Sequence, residues 1–322
     1  MIDFLFKNFI FGFFLSIITA ISSIKFCSKI FRYFGFFDNP DGLLKVHKTP
    51  IVPAGGPGIL IALFVASFIA NIFYLSSIYF NFFIFLSAFF LLGLLDDLFS
   101  ISQRKKFLIQ ALLAFVFLFF VRPNFNFLEL FWMLSVINAF NLIDVADGLC
   151  AIISICAAIG FFFISILFLA KIWAIFFALV FGSLIGFLIF NFPPASIYLG
   201  DSGSTLLGAI FGLAPLCLPW SNKVDELLIS SIVLGLPLIE VFFLVLIRTY
   251  LRIAPYKGSP HHFYIFLKKK GWGAKKILLF IVSIGCQLSF IGYSIQSGLI
   301  NQLFLLPFGF LSFFIWTIVV YF

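Results

Sequence analysis

Charge is what this chain has least of. Only 10% of its 322 residues are Asp, Glu, Lys or Arg, against about a quarter in soluble globular domains. Hydrophobic residues make up 63% and the mean hydropathy is +1.22. No soluble fold of this size hides so much apolar surface, so the surplus must face lipid. That excludes a water-soluble enzyme, a secreted disulfide scaffold and a disordered chain. Histidine is scarce, at three residues. The five cysteines, Cys27, Cys150, Cys156, Cys217 and Cys286, lie in apolar stretches without metal-type spacing. They read as small core residues rather than as disulfide or zinc ligands. Repeats, low-complexity tracts and long linkers are also missing, so residues 1–322 read as a single polytopic domain.

What is present is hydrophobic length. A membrane helix needs about 20 apolar residues, and the chain predicts eleven, near 4–24, 57–75, 79–95, 107–121, 126–143, 149–170, 172–191, 204–220, 227–247, 277–297 and 303–322. The expected fold is all-α. Basic residues follow the first run rather than precede it, which argues against a cleaved signal peptide. With the N-terminus periplasmic and the C-terminus cytoplasmic, the inner loops hold 16 of the 20 Lys and Arg residues; Lys7, Arg122, Lys171 and Lys223 remain. This asymmetry is the positive-inside pattern. It accounts for the net charge of +8 without nucleic acid as a partner.

The same threading brings polar motifs from distant parts of the chain to one face. Asp96 and Asp97 end the third run, and Lys106 follows. Adjacent carboxylates repel unless a cation or proton is near. Asn138, Asn141 and Asp144 recur every three residues, on one helical face, and Asp147-Gly148 follows. Four such side chains between two apolar runs are costly unless they bind something. Gly200-Asp201-Ser202-Gly203-Ser204 opens the next helix, where backbone N–H groups favour phosphate. Ser259-Pro260-His261-His262 sits in a Lys-rich loop suited to an anion. Asp3, Glu129, Asp225 and Glu226 fall on the other side and read as ordinary loop residues. Carboxylates, lysines and histidines at one membrane face describe a site for a metal and an anion.

Taken in order, these motifs resemble those of the polyprenyl-phosphate N-acetylhexosamine-1-phosphate transferases, over about residues 38–276. The matching features are the Asp96-Asp97 pair with Lys106; Asn138, Asn141, Asp144, Asp147 and Gly148; Gly200, Asp201, Gly203 and Ser204; His261 and His262; and an early Lys45, His47, Gly55 and Gly56. Val145 stands where the family has a glycine. Two histidines followed by Phe263-Tyr264 favour the WecA/WbpL branch over the MraY branch. The resemblance implies catalytic roles for Asp96, Asp97, Asp144, Asp201 and His262. It implies substrate contacts from Lys45, His47, Lys106, Asn138, Asp147, Gly203 and His261, and a Mg²⁺ or Mn²⁺ ion held by Asn141 and Asp201. The implied reaction moves a sugar 1-phosphate from a UDP-sugar to undecaprenyl phosphate and releases UMP. It would occur at the cytoplasmic face of the bacterial inner membrane and initiate an O-antigen-like envelope polysaccharide. Membrane lipid is an expected partner, and a homodimer is compatible with the resemblance. The rival readings are an MraY-type phospho-MurNAc-pentapeptide transferase and a cation-coupled transporter.

Overall fold

In hydrocarbon every backbone polar group needs an internal partner, and the helices meet that need. The computed structural model describes residues 2–38, 50–70, 77–122, 124–254 and 259–300. The elements are α1 (Ile2–Tyr33), α2 (Gly55–Ile69), α3 (Ser77–Phe99), α4 (Gln103–Val121), α5 (Phe127–Ile143), α6 (Leu149–Leu167), α7 (Lys171–Asn191), α8 (Gly200–Leu213), α9 (Lys223–Val233), α10 (Gly235–Tyr250), α11 (Phe263–Lys269) and α12 (Ala274–Gln296). There is no strand among the described residues; only two isolated bridges occur, Asp38 with Ile51 and Val52 with Ile197.

Among the described residues five stretches are long and apolar enough to cross a membrane: Phe9–Tyr33, Tyr79–Phe99, Leu149–Leu167, Lys171–Asn191 and Ala274–Gln296. The run expected at 227–247 is two helices, α9 and α10, meeting at 82°. Pro237 lies in the first turn of α10, where its missing N–H is harmless, but it would break a helix running through from α9. The run expected at 204–220 ends as α8 at Leu213, followed by a 3₁₀ turn, Pro215–Cys217. At 1.5 Å per residue α8 rises only about 21 Å, short of a bilayer core. α1 continues past residue 24 to Tyr33, so Lys25, Lys29 and Arg32 extend a helix rather than occupy a loop. The run at 303–322 lies outside the described residues.

α8 is the hub. It packs between α3 and α5, while α1 packs on α2 and α7, α7 on α6, and α6 on α12. Every α8 residue from Ser202 to Leu213 is buried. Small residues allow this closeness. A Cβ on Gly93 of α3 would sit 2.4 Å from the Asp201 carbonyl oxygen, and one on Gly56 of α2 would sit 2.3 Å from the Gly203 nitrogen. The phenylalanines divide between two surroundings. Phe82 and Phe176 pack edge-to-face with Trp173 in the core, at 5.1 and 5.8 Å. Phe14, Phe119 and Phe120 are exposed, as lipid-facing side chains are.

The end of the bundle away from the predicted site holds a buried ion network. Arg122 pairs with Glu226 and, at 3.7 Å, with Glu129; Lys223 lies 3.2 Å from Glu129. Glu129 also forms a capping box with Asn126 at the start of α5. Both glutamates are buried, which corrects their reading as ordinary loop residues. Cys286 is exposed and is not a core residue.

Candidate active site

Four chain segments meet at the other end of the bundle: the last turn of α3, the first turn of α4, the first turn of α8, and the turn joining α5 to α6. Lys106 ties three of them. Its Nζ lies 2.7 Å from Asp96 Oδ2 and 2.6 Å from Asp201 Oδ1. The lysine and Asp96 are buried, whereas the Asp201 side chain is 47% exposed and forms the open end of the chain of charges. Asp96 Oδ1 also accepts from the Ile101 N–H at 2.7 Å, which turns the chain from α3 into α4.

Asp97 faces α8. Its Oδ1 accepts from the Asp201 N–H at 2.7 Å and its Oδ2 from the Ser202 N–H at 2.9 Å. The carboxylate thus satisfies two orphan donors at a helix N-terminus, where the dipole favours negative charge. Gly200 makes the fit possible: its φ is +77°, and a Cβ there would lie 2.9 Å from Asp97 Oδ2. The α8 cap therefore comes from 104 residues upstream rather than from Asp201 or Ser202 themselves. Gly203 is buried against Leu199 and Gly56, which places it in the packing beneath the site.

On α5, the Asn141 Oδ1 accepts from the Ser204 and Thr205 hydroxyls at 2.7 and 3.1 Å, and its Nδ2 is buried without a partner. Asn138 donates to Gln110 Oε1 at 3.2 Å and to the Leu134 carbonyl. Gln110 sits one turn below Lys106, so α4 and α5 present a polar stripe to each other. α5 ends at Ile143, and Asp144 is its C-terminal flanking residue rather than a helical one. Burial, then Asp201, Asp97, Asp147 and Asp38, push the Asp144 carboxyl well above the usual carboxylate range. Asp147 accepts from the Ala195 N–H at 3.0 Å, and Asn191 bridges the Gly148 N–H to the Ile197 carbonyl. These bonds moor the turn to the segment leading into α8.

Asp38, absent from the sequence-predicted set, belongs to this acidic group. With Asp147, and after burial, it raises the Tyr198 phenol to about 12. Its signal in the sequence was a carboxylate at the end of the first apolar helix. Lys45 and His47 lie outside the described residues.

The histidine loop is attached to α10. His262 Nδ1 lies 3.1 Å from Glu240 Oε1, and the same oxygen accepts from the Phe263 N–H at 3.2 Å. Arg248 donates to Ser259 Oγ at 2.9 Å. The loop reaches the acidic group through Tyr264, whose phenol is pushed up by burial and then by Asp147. Glu240 was also missed by sequence reasoning; a lone carboxylate inside an apolar run was the available signal.

The acidic groups suit a hard divalent cation. All the candidate donors, Asp201, Asp144 and Asn141, are oxygen-bearing, and burial together with the neighbouring carboxylates raises Asp144. Turning the Asn141 amide end for end lets Nδ2 donate to the two hydroxyls and frees Oδ1. Among the described residues no three His, Cys, Asp or Glu side chains form a preassembled cage. Mg²⁺-type sites commonly use one or two carboxylates plus substrate phosphates, and so do not require one.

Residues 79–218 match glycosyl transferase family 4. The chain is 32% identical over 270 residues to the undecaprenyl-phosphate alpha-N-acetylglucosaminyl 1-phosphate transferase of Thermotoga maritima, covering 80% of this chain and 81% of the relative. It is 32% identical over 279 residues to the probable undecaprenyl-phosphate N-acetylglucosaminyl 1-phosphate transferase of Bacillus subtilis, covering 78% and 75%. It is 26% identical over 288 residues to the phospho-N-acetylmuramoyl-pentapeptide-transferase of Staphylococcus epidermidis, covering 79% and 87%. The extent of these matches, on a helical chain whose Asp96 and Asp201 meet on one lysine, shows that the protein belongs to glycosyl transferase family 4, the polyprenyl-phosphate N-acetylhexosamine-1-phosphate transferases.

Proposed function

We propose that this protein transfers an N-acetylhexosamine 1-phosphate from a UDP-sugar to undecaprenyl phosphate, yielding undecaprenyl-diphospho-sugar and UMP. The observation that carries the reading is the Asp96–Lys106–Asp201 chain of charges set against the Asp97-capped start of α8. An acceptor-phosphate oxygen bonds to the phosphorus bearing the sugar; the bond from that phosphorus to the bridging oxygen breaks, and its electron pair leaves on UMP. Both substrates are anions, so their approach must be offset electrostatically. Lys106 supplies one positive charge, and the loop bearing His261 and His262 supplies donors. The acceptor phosphate has a second pKa of about 6 and is largely ionised near neutrality. Asp96 and Asp97 therefore serve alignment more than proton removal: the former holds Lys106 and the latter holds α8, which carries Asp201. A Mg²⁺ ion, with Asp201 and Asn141 as ligands and Asp144 beside them, would polarise the diphosphate and neutralise charge on the departing UMP.

The N-acetylglucosaminyl branch is favoured over the muramoyl-pentapeptide branch by 32% identity over 270 residues, against 30% over 226 residues and 26% over 288 for muramoyl-pentapeptide relatives, and by His261-His262-Phe263-Tyr264. In our reading the site faces the cytoplasm of a bacterial inner membrane, within a multi-span chain whose N-terminus is periplasmic. The prenyl tail lies in lipid and the nucleotide sugar is soluble, so a rim site reaches both. The product would start an envelope polysaccharide.

The test is a membrane assay with undecaprenyl phosphate, Mg²⁺ and labelled UDP-GlcNAc, UDP-QuiNAc, UDP-FucNAc and UDP-MurNAc-pentapeptide. Lipid-linked product with equimolar UMP from one of the first three supports the proposal. Product from the pentapeptide donor alone moves the protein to the other branch, and no product from any donor overturns the reaction. Asp201→Asn abolishes transfer on this reading; normal turnover at ordinary Mg²⁺ removes Asp201 from the metal site.

A further inference from the structure

α10 carries one carboxylate, Glu240, in the otherwise apolar run Leu236–Ile247. It is 1% exposed, and a buried carboxylate is unfavourable unless hydrogen-bonded or paired. Its two bonds go to one place. Oε1 receives the Phe263 N–H at 3.2 Å and faces His262 Nδ1 at 3.1 Å, while Oε2 is buried without a partner. Phe263 is itself 1% exposed, so the backbone beside the histidine is pinned by packing and by a hydrogen bond. A ring nitrogen facing an ionised carboxylate oxygen bears the proton, because two acceptors repel.

We propose that Glu240 is a positioning residue for His262: from inside α10 it fixes the imidazole orientation and its Nδ1–H form, making Nε2 the nitrogen offered to a substrate phosphate. The role rests on the phosphosugar-transfer reading above. Among the described residues His262 Nε2 makes no hydrogen bond, in contrast to the engaged Nδ1. With Nδ1–H held by the carboxylate, Nε2 accepts from a substrate donor when the ring is neutral and donates to a phosphate oxygen when the ring is protonated. The other charged groups near this pair are Arg248 on α10, His261 in the loop and Lys269 on α11, with Asp147 reaching Tyr264 from the α5–α6 turn. α5, which packs against α10, brings the amides Asn138 and Asn141 rather than a charge at this end. Glu240 is thus the carboxylate placed to hold the ring.

The chain has only three histidines, so ¹⁵N-histidine labelling of the full-length protein in detergent resolves their ring nitrogens. The expected result is an Nδ1–H tautomer for His262 in the unaltered protein. Glu240→Gln, which keeps a carbonyl acceptor, retains it; Glu240→Leu turns it into a mixture. In the transfer assay Glu240→Leu lowers kcat about 100-fold, the size of an acid–base contribution, with KM for both substrates within about threefold. Glu240→Gln stays within about tenfold of the unaltered protein. In a His262→Ala background, Glu240→Leu costs less than about twofold more, because the two residues act as one unit. Each variant is compared at equal amounts of monodisperse protein. An Nε2–H tautomer in the unaltered protein, an unchanged tautomer in Glu240→Leu, or losses that multiply in the double variant would overturn the proposal. The tautomer measurement needs no turnover. An unaltered protein that makes no product would therefore defeat the reaction reading while leaving the tautomer result to stand alone.

Discussion

Lys106 and Asp97 show how single side chains divide the work at this site. Lys106 is the buried cation between Asp96 and Asp201, and removing one partner of a buried pair costs about 3–5 kcal/mol because the other charge stays buried. Lys106→Met should lower the thermal unfolding temperature in detergent and reduce transfer at least 100-fold; an unchanged unfolding temperature would show that Asp96 does not depend on it. Asp97 accepts two backbone N–H groups, and Asn can accept only through its single oxygen. Asp97→Asn leaves one N–H facing an amide NH₂, at a cost of about 1–3 kcal/mol, and the same thermal scan should register the loss. His261 makes one contribution to the pH dependence, opposite in sign to that of the raised Asp144 carboxyl. Burial first, then Lys269, Arg248 and His262, hold its imidazole below the usual histidine value. The unfolded chain then binds a proton more readily than the folded one, so stability falls as pH drops through about 6.5. His261→Gln should flatten the slope of unfolding temperature between pH 7 and pH 5.5; an equally steep slope would assign it to another group.

Among the helices, α8 depends on close approach. Its first turn is gripped by Asp97, and its flank meets α3 at Gly93. A methyl group at Gly93 would fall 2.4 Å from the Asp201 carbonyl oxygen, so α3 or α8 must shift and Asp201 with it. Overpacking of this kind costs about 1–3 kcal/mol. Gly93→Ala should lower both unfolding temperature and turnover, whereas Gly273→Ala, with nothing within 4 Å of its added carbon, should leave both unchanged. Equal behaviour of the two variants would deny the α3–α8 contact its role. The α9–α10 break belongs here too, since it places Glu240 behind the histidine loop. Hydropathy alone read residues 227–247 as one span, because an apolar average does not register a bend.

For the molecule as a whole, the two ends of the bundle use charge differently. At one end Arg122, Lys223, Glu129 and Glu226 compensate one another. At the other, Asp38, Asp96, Asp97, Asp144, Asp147 and Asp201 outnumber Lys106, which pairs with only two of them, Asp96 and Asp201. Sidedness is testable from this end. Ser102 is exposed beside Asp96 and Lys106. Ser102→Cys, scored above the background of the native cysteines, should react with an impermeant maleimide from the cytosolic side of inverted vesicles and not from the outside of intact cells. The reverse pattern would invert the proposed topology.

The membrane class, the helical fold and the segments that build the site were legible in the chain itself, because hydropathy and short polar motifs are local properties. Asp96, Asp97, Lys106, Asn141 and Asp201 announce themselves as polar residues at the ends of apolar runs. Their pairings do not. That Asp97 caps a helix 104 residues away while its neighbour Asp96 holds Lys106 depends on the angle at which α3 meets α8. The burial of Glu129 and Glu226, and the meeting of Glu240 with His262, likewise came from packing. A carboxylate's neighbours in space, unlike its neighbours in the chain, set whether it is a loop charge, a cap or the support of a histidine.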